Sequence, residues 1–336
     1  MTGPPPAIAA VRVAVRTALA EHQLSGDTVV VACSGGVDSL ALALAAGFEV
    51  PRAGGQVGAV IVDHQLQPNS ALVASEAATA CRGLGLDPVH VATVDVVAGS
   101  GGLEDAARQA RMAALQTAAR EQGARAVLVG HTRDDQAEQV LLGLIRGSGT
   151  RSLSGMPGAR PLRQEDGSGA LTVLRPFLNV PRQVTWDACA SADLKPWQDP
   201  HNSEERFTRV RARAALADLH DRLDPGIGAA LARSADVLRA DADALDDFSD
   251  TAYAELGAPP WPVEQLAAHP RAIRSRLWQR MVTQAGSPPG GVSRIHLDAI
   301  DDLIRGWHGQ GPITVPGGVE VHRGRGLIWA QGPQPG

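Results

Sequence analysis

The chain has 336 residues, 44% of them hydrophobic, and a formal net charge of −5, which is enough for one full α/β domain and a smaller second one. No apolar run of about 18 residues occurs, and the N-terminal stretch MTGPPPAIAAVRVAVRTALAEH carries arginines at helical spacing without a signal-peptide core, so the expectation is a cytoplasmic globular protein with no membrane partner. Of the 31 Lys plus Arg only Lys195 is a lysine, and its setting, DLKPW, is neither a Walker A loop nor a kinase strand, which excludes both of those ways of holding ATP.

In chain order, β-type runs at 28–32, 57–62, 89–94 and 126–129 alternate with helical patterns at 39–48, 71–84 and 103–122. This alternation predicts βαβ units and an α/β fold with a parallel Rossmann-like sheet. Ligands of such sheets bind beyond the carboxyl ends of the strands. That rule selects SGGVDS, VDHQLQPNS, the segment after Val94, and GHTRDD. RQEDGSGA at 163–170 reads as a surface loop, and from about Arg182 the pattern turns mostly helical. The Gly and Pro of DRLDPGIG place a boundary near 221–228. Residues 1–220 then form the first domain and 221–331 a smaller, mostly helical one closed by the β runs GPITVP, GVEVHR and GLIWAQ, with 332–336 a disordered tail. Cys33, Cys81 and Cys189 have no CxxC spacing and read as small buried hydrophobes.

The turn Ser34, Gly35, Gly36, Val37, Asp38, Ser39 follows the first strand and opens a helix. Its glycines let backbone N–H groups approach a ligand, and the helix adds its positive end, so the turn can hold a pyrophosphate without a lysine. A carboxylate beside phosphate needs a cation between them, which makes Asp38 the candidate Mg2+ ligand. The plainer alternative is a tight turn capped by Asp38 or Ser39. The hexapeptide resembles the PP-loop, SGGxDS, of ATP pyrophosphatases, in which this loop grips the leaving pyrophosphate.

The second stretch, GHTRDDQAEQ, puts Asp134 and Asp135 four and three residues before Glu138. On a helix these share a face and could hold an amine or a metal. A capping box, with Asp135 as cap and Glu138 reaching back, is the rival. His64 and His131 each lie just past a strand, and neither has metal-ligand spacing with another His or Cys.

Seven stretches, SGGVDS, VDHQLQPNS, AARQAR, HTRDDQAEQ, RGSGTRSLSGM, RPFL and DPHNSEERFTRVRAR, stand in order over about 180 residues. In that order they resemble the motifs of the tRNA(Ile)-lysidine synthetase family, within the PP-loop, adenine nucleotide α-hydrolase-like fold. The sequence departs from the pattern at Gln65, Gln67, Thr132, Gln139, Ser152 and Val210, while the acidic residues are kept. The helices around LAAHPRAIRSRLWQRMV and the closing β runs resemble the substrate-recognition domain of shorter members.

The resemblance implies a ligase that uses ATP and Mg2+ to adenylate the carbon-2 carbonyl oxygen of the wobble cytidine in a tRNA(Ile) with anticodon CAU. Free L-lysine then displaces AMP. It implies that Ser34, Gly35, Gly36, Val37, Asp38, Ser39, His64 and His131 meet ATP. Arg111, Asp135 and Glu138 would hold the lysine, and Asp38, Asp135 and Glu138 would be catalytic. The run Arg206, Arg209, Arg211, Arg213 would contact tRNA phosphates, against the plain alternative of a solvated helix. A homodimer is compatible with this reading. A tRNA thiolase of the same superfamily would need paired cysteines, and a glutamine-dependent synthetase an ammonia source. A nucleotide-sensing module without turnover would leave the carboxylates and arginines without a purpose.

Overall fold

The computed structural model describes residues 3–65, 69–94, 102–147, 149–162, 171–199, 208–288 and 290–333, with the side chains of 102–105, 107 and 108 outside that description. The chain divides into two compact units, Met1–Leu142 with Gly155–Arg233, and Gly143–Ser154 with Ser234–Gly336.

In the first unit the elements run α1 (Pro6–Glu21), β1 (Thr28–Ala32), α2 (Val37–Arg52), β2 (Gln56–Asp63), α3 (Ser70–Gly83), β3 (Val89–Thr93), α4 (Gly102–Glu121) and β4 (Ala126–Val129). The acidic helix α5 (Arg133–Ile145), strands β5 (Ala159–Leu162) and β6 (Leu171–Leu174), and helices α7 (Arg182–Ser191) and α8 (Thr208–Arg222) follow, while the last residues of α5 and the short α6 (Thr150–Leu153) between α5 and β5 fall in the second unit. The sheet order is β3-β2-β1-β4-β6-β5. All neighbours pair in parallel except β5, which is antiparallel to β6. The four expected strands are present, β1 and β4 with the expected bounds. The expected loop at 163–170 lies outside the described residues, and the two strands beside it are an addition to the sequence reading.

The strands form because β-branched runs can be buried on both faces of a parallel sheet. Alternation along β1 sends Val29 and Val31 to one side and Val30 to the other. Val29 and Val31 pack with buried residues of α1, α2, α3 and α7. Val30 packs with Leu115, Ala118 and Ala119 of α4. Helix α1 starts on Pro6 and buries Ile8, Val11, Val15 and Leu19, a spacing that lines up one apolar stripe. Helices on both faces leave the carboxyl edge of the sheet as the place where loops meet.

The second unit holds most of the 30-residue helix α9 (Ile227–Leu256), then β7 (Trp261–Pro262), α10 (Val263–Ala268), α11 (Arg271–Gln284), α12 (Arg294–Arg305), β8 (Ile313–Val315), β9 (Val319–Gly324) and β10 (Leu327–Gln331). The change of unit falls within α9, just past the DRLDPGIG turn. The sheet order is β7-β10-β9-β8, with antiparallel pairs throughout. Its core gathers Trp261, Leu277, Trp278, Ile300 and Ile328. The buried Arg274 makes two 2.7 Å bonds to the equally buried Asp301, which also accepts from Trp278 Nε1. An ion pair satisfied on both oxygens is tolerated in an apolar core. Of the expected 332–336 tail, residues 334–336 lie outside the described residues.

Candidate active site

The turn after β1 is shaped by its own residues. Gly35 has φ +78°, a conformation that a side chain would strain, and its carbonyl accepts from the Trp197 N–H at 3.0 Å. Ser39 Oγ receives the Ser34 N–H at 3.1 Å and donates to the Gly36 carbonyl at 2.9 Å. Gly36 caps α2 without a side chain of its own, so no capping group occupies the space in front of the helix. Such an end favours anions. The capping alternative for this turn is met in part, by Ser39 bonding back into the loop, while Asp38 turns elsewhere.

Asp38 Oδ1 accepts from Thr185 Oγ1 at 2.5 Å, and Oδ2 lies 3.3 Å from Arg182 Nε. Arg182 Nη2 is 2.6 Å from Asp135 Oδ1, and Nη1 is 3.5 Å from Glu138 Oε1. The Arg182 backbone N–H donates to Asp134 at 2.8 Å. Glu138, only 5% exposed, also accepts from Arg213 Nε at 2.8 Å. The three carboxylates singled out from the sequence thus meet on one guanidinium. Burial pushes the Asp38 carboxyl up, against the Thr185 hydroxyl and the Arg182 charge. Burial acts upward on Asp135 as well, but Arg182 in close contact and the Thr132 donors hold it below its ordinary value.

The capping rival at the start of α5 is real in a different register. The Thr132 N–H and hydroxyl donate to Asp135 Oδ2 at 2.7 and 2.9 Å. Asp135 thus reaches back to the Thr132 N–H as the third residue of a capping box does, with the Thr132 hydroxyl donating to the same oxygen, while Glu138 is committed to arginines. Asp135 serves both purposes, since one oxygen ties the helix start and the other faces Arg182.

His131 lies between β4 and α5, where Arg175 Nε donates to its Nδ1 at 3.3 Å. Burial lowers the His131 pKa to about 4, with Arg175, Arg209 and Arg111 acting in the same direction and Asp135 opposing them. His64, past β2, is likewise lowered by burial and by Arg111. Arg111, exposed on α4, thus acts on both histidines. The preceding Gly130 is held by space: a Cβ there would lie 2.8 Å from the Asp38 carbonyl oxygen. Without a side chain, the end of β4 can press against the PP-loop helix.

On α8, Arg209 and Arg213 are one helical turn apart and both act on this site. Arg211 instead bonds Thr208 on an exposed stretch. Arg206 lies outside the described residues, as do Gln67 and the segment from 95 to 101. The three cysteines are free and buried, as expected. Arg182, Thr185 and Arg175 are additions to the sequence reading. Arg182 had a signal: it opens α7, where the helix dipole disfavours a cation, so an acidic partner was called for.

A PP-loop domain model matches residues 10–219 and a TilS substrate binding domain model matches 262–329. The chain is 48% identical over 331 residues to the tRNA(Ile)-lysidine synthase of Thermobifida fusca (strain YX), covering 98% of each chain. It is 45% identical over 359 residues to that of Streptomyces coelicolor (strain ATCC BAA-471 / A3(2) / M145), covering 98% of this chain and all of the other. Among solved structures, the U34-tRNA thiolase NcsA from Methanococcus maripaludis, with its [4Fe-4S] cluster, superposes with a TM-score of 0.58 at 17% identity, over 69% of this chain and 80% of that one. That likeness concerns the fold alone. With the PP-loop geometry, the acidic start of α5 and the near full-length identities taken together, the chain belongs to the tRNA(Ile)-lysidine synthase family.

Proposed function

We propose that this chain joins free L-lysine to carbon 2 of the wobble cytidine of tRNA(Ile) with anticodon CAU, using ATP and releasing AMP and pyrophosphate. Family membership gives the reaction. The observation that carries the residue-level reading is the network in which Arg182 joins Asp38 of the PP-loop helix to Asp135 and Glu138 of α5. A nucleotide gripped by the loop and an amine held by the two carboxylates would then lie on either side of one fixed charge.

The chemistry divides into two displacements. The cytidine carbonyl oxygen attacks the α-phosphorus of ATP, the bond to the β-phosphate oxygen breaks, and pyrophosphate leaves. The lysine side-chain amine, having lost a proton, then attacks carbon 2, and the bond to the adenylated oxygen breaks to free AMP. Adenylation is needed because the bare carbonyl oxygen is a poor leaving group, and the carboxylates suit the amine because they can orient an ammonium and accept its proton. On this reading Ser34, Gly35, Gly36, Val37, Ser39, His64 and His131 contact the nucleotide, and Arg111 pairs with the lysine carboxylate.

Among the described residues no group of three His, Cys, Asp or Glu side chains is placed to hold a metal. Magnesium bound through substrate phosphates needs only one or two protein carboxylates, and Asp38, 21% exposed at the start of α2, fits that need. Asp38 would hold Mg2+, which when bound supplies positive charge to the leaving pyrophosphate. Arg209, Arg211 and Arg213 would meet tRNA phosphates, and the unit with the match to the substrate binding domain would recognise the tRNA body. No helix among the described residues is long and apolar enough to cross a membrane. A cytoplasmic location and a homodimer complete the reading on the resemblance alone.

The order of steps has a direct test. A tRNA carrying oxygen-18 at carbon 2 of the wobble cytidine should release AMP bearing the label once lysine is added. Label in pyrophosphate, or retained in the tRNA after lysine is joined, would reject adenylation of that oxygen.

A further inference from the structure

Arg175 and His131 meet through a contact whose chemistry runs in one direction. Arg175 follows β6 directly, is 8% exposed, and donates from Nη1 to the Pro157 carbonyl at 2.9 Å and from Nε to His131 Nδ1 at 3.3 Å. A guanidinium has donors only, so Nδ1 must present its lone pair. A neutral imidazole with an accepting Nδ1 carries its proton on Nε2. Burial and three arginines oppose a second proton, and only Asp135 favours one.

The position of the ring follows from its neighbours. The His131 backbone N–H donates to the Val129 carbonyl at 3.0 Å, and the adjoining Gly130 is pressed against the backbone of Asp38 and Ser39 in the PP-loop helix. Of the charges around the ring Asp135 acts most strongly, but Arg175, Arg209 and Arg111 outnumber it, and three cations against one carboxylate favour an anion as the acceptor for Nε2–H. We infer that Arg175 is a positioning residue that fixes His131 as an Nε2–H hydrogen-bond donor to a phosphate oxygen of the bound nucleotide. With Nδ1 engaged and Nε2 protonated, His131 has no free basic nitrogen, so it is not the base that deprotonates the lysine amine. The inference rests on the PP-loop reading of ATP binding and not on the identity of the amine.

The test uses the full-length chain labelled with nitrogen-15 in histidine, with His131→Gln assigning the signal among the ten histidines. At pH 7 the His131 Nδ1 should show the shift of an unprotonated ring nitrogen and Nε2 that of a protonated one. A proton on Nδ1, or on both nitrogens, would overturn the assignment. In Arg175→Met the two shifts should move toward each other as both tautomers become populated, and ATP affinity by calorimetry should fall roughly 10- to 100-fold, the worth of a hydrogen bond to a charged group. Arg175→Lys, which keeps a cationic donor, should recover the spectrum and most of the affinity. A folded Arg175→Met protein, judged by its thermal midpoint, with an unchanged spectrum or unchanged ATP affinity would remove the positioning role. None of these readouts involves lysine, so a failed lysine assignment would leave them standing.

Discussion

Arg182 Nη2 lies 2.6 Å from Asp135 Oδ1 while Nε of the same guanidinium lies 3.3 Å from Asp38 Oδ2. One cation thus joins the PP-loop helix to the acidic start of α5. It is locked from several sides, since Asp134 takes its backbone N–H and Glu138 flanks Nη1. Without it, three carboxylates would face one another in a largely buried site.

Replacing Arg182 by Gln should therefore lower stability by about 3 kcal/mol, the scale for removing one partner of a buried ion pair. Activity should fall with both substrates affected, because the carboxylates on both sides lose their shared partner. Arg182→Lys should recover only part, since a single ammonium cannot span three acceptors. Urea midpoints and the two KM values decide this; a loss confined to one substrate would separate the two sites.

Glu138→Ala leaves Arg213 without its carboxylate but does not touch the PP-loop. The KM for lysine should rise at least about tenfold, the worth of a charged hydrogen bond, with the KM for ATP nearly unchanged. Equal rises in both would take Glu138 out of the amine site.

Asp38→Asn keeps the size of the side chain and a group for Thr185 to bond, so the circular dichroism spectrum should not change. Pyrophosphate release should be abolished or nearly so, because an amide oxygen without the carboxylate's charge holds magnesium far more weakly. Near-normal release would exclude Asp38 from the nucleotide site.

Gly130→Ala would place a methyl 2.8 Å from the Asp38 carbonyl oxygen and 3.1 Å from the Ser39 nitrogen. Overpacking of this kind costs roughly 1–3 kcal/mol, and the backbone that must give way is the PP-loop helix. Both the thermal midpoint and ATP affinity should drop. A variant that is destabilised but binds ATP normally would show that this contact does not position the loop.

His131 also predicts an acid response. Its pKa falls from 6.5 to about 4 on folding, so the unfolded chain binds more protons between those values. Stability is then full above pH 6.5 and declines as pH falls toward 4. His131→Gln should flatten this part of the urea midpoint against pH curve, and an equally steep curve would contradict the shift.

How much of this could be read beforehand depended on the kind of signal. Strands β1 and β4 have the bounds expected from their β-branched runs, and α2 and β2 extend the expected segments by a few residues. Strands β5 and β6 carry weaker signals than β4, which is equally short: β5 mixes Arg160 and Pro161 into its run, and β6 directly follows the polar stretch at 163–170. β5 contains Pro161 and lies at the sheet edge, where proline is tolerated. Asp38, Asp135 and Glu138 were legible because motif spacing marks them. Arg182 sits 44 residues after Glu138 in a helix start without such a motif, and only the fold brings it to the carboxylates. Arg213 was read as one of a basic run, yet its Nε lies on Glu138, a direction that helical spacing alone does not set.

The most direct test of the account is ATP-dependent incorporation of labelled lysine into unmodified tRNA(Ile) with anticodon CAU, with the CAU methionine tRNA as control. Label should appear in the isoleucine tRNA alone, with one AMP and one pyrophosphate released per lysine joined. ATP cleavage without incorporation, or equal labelling of both tRNAs, would contradict it.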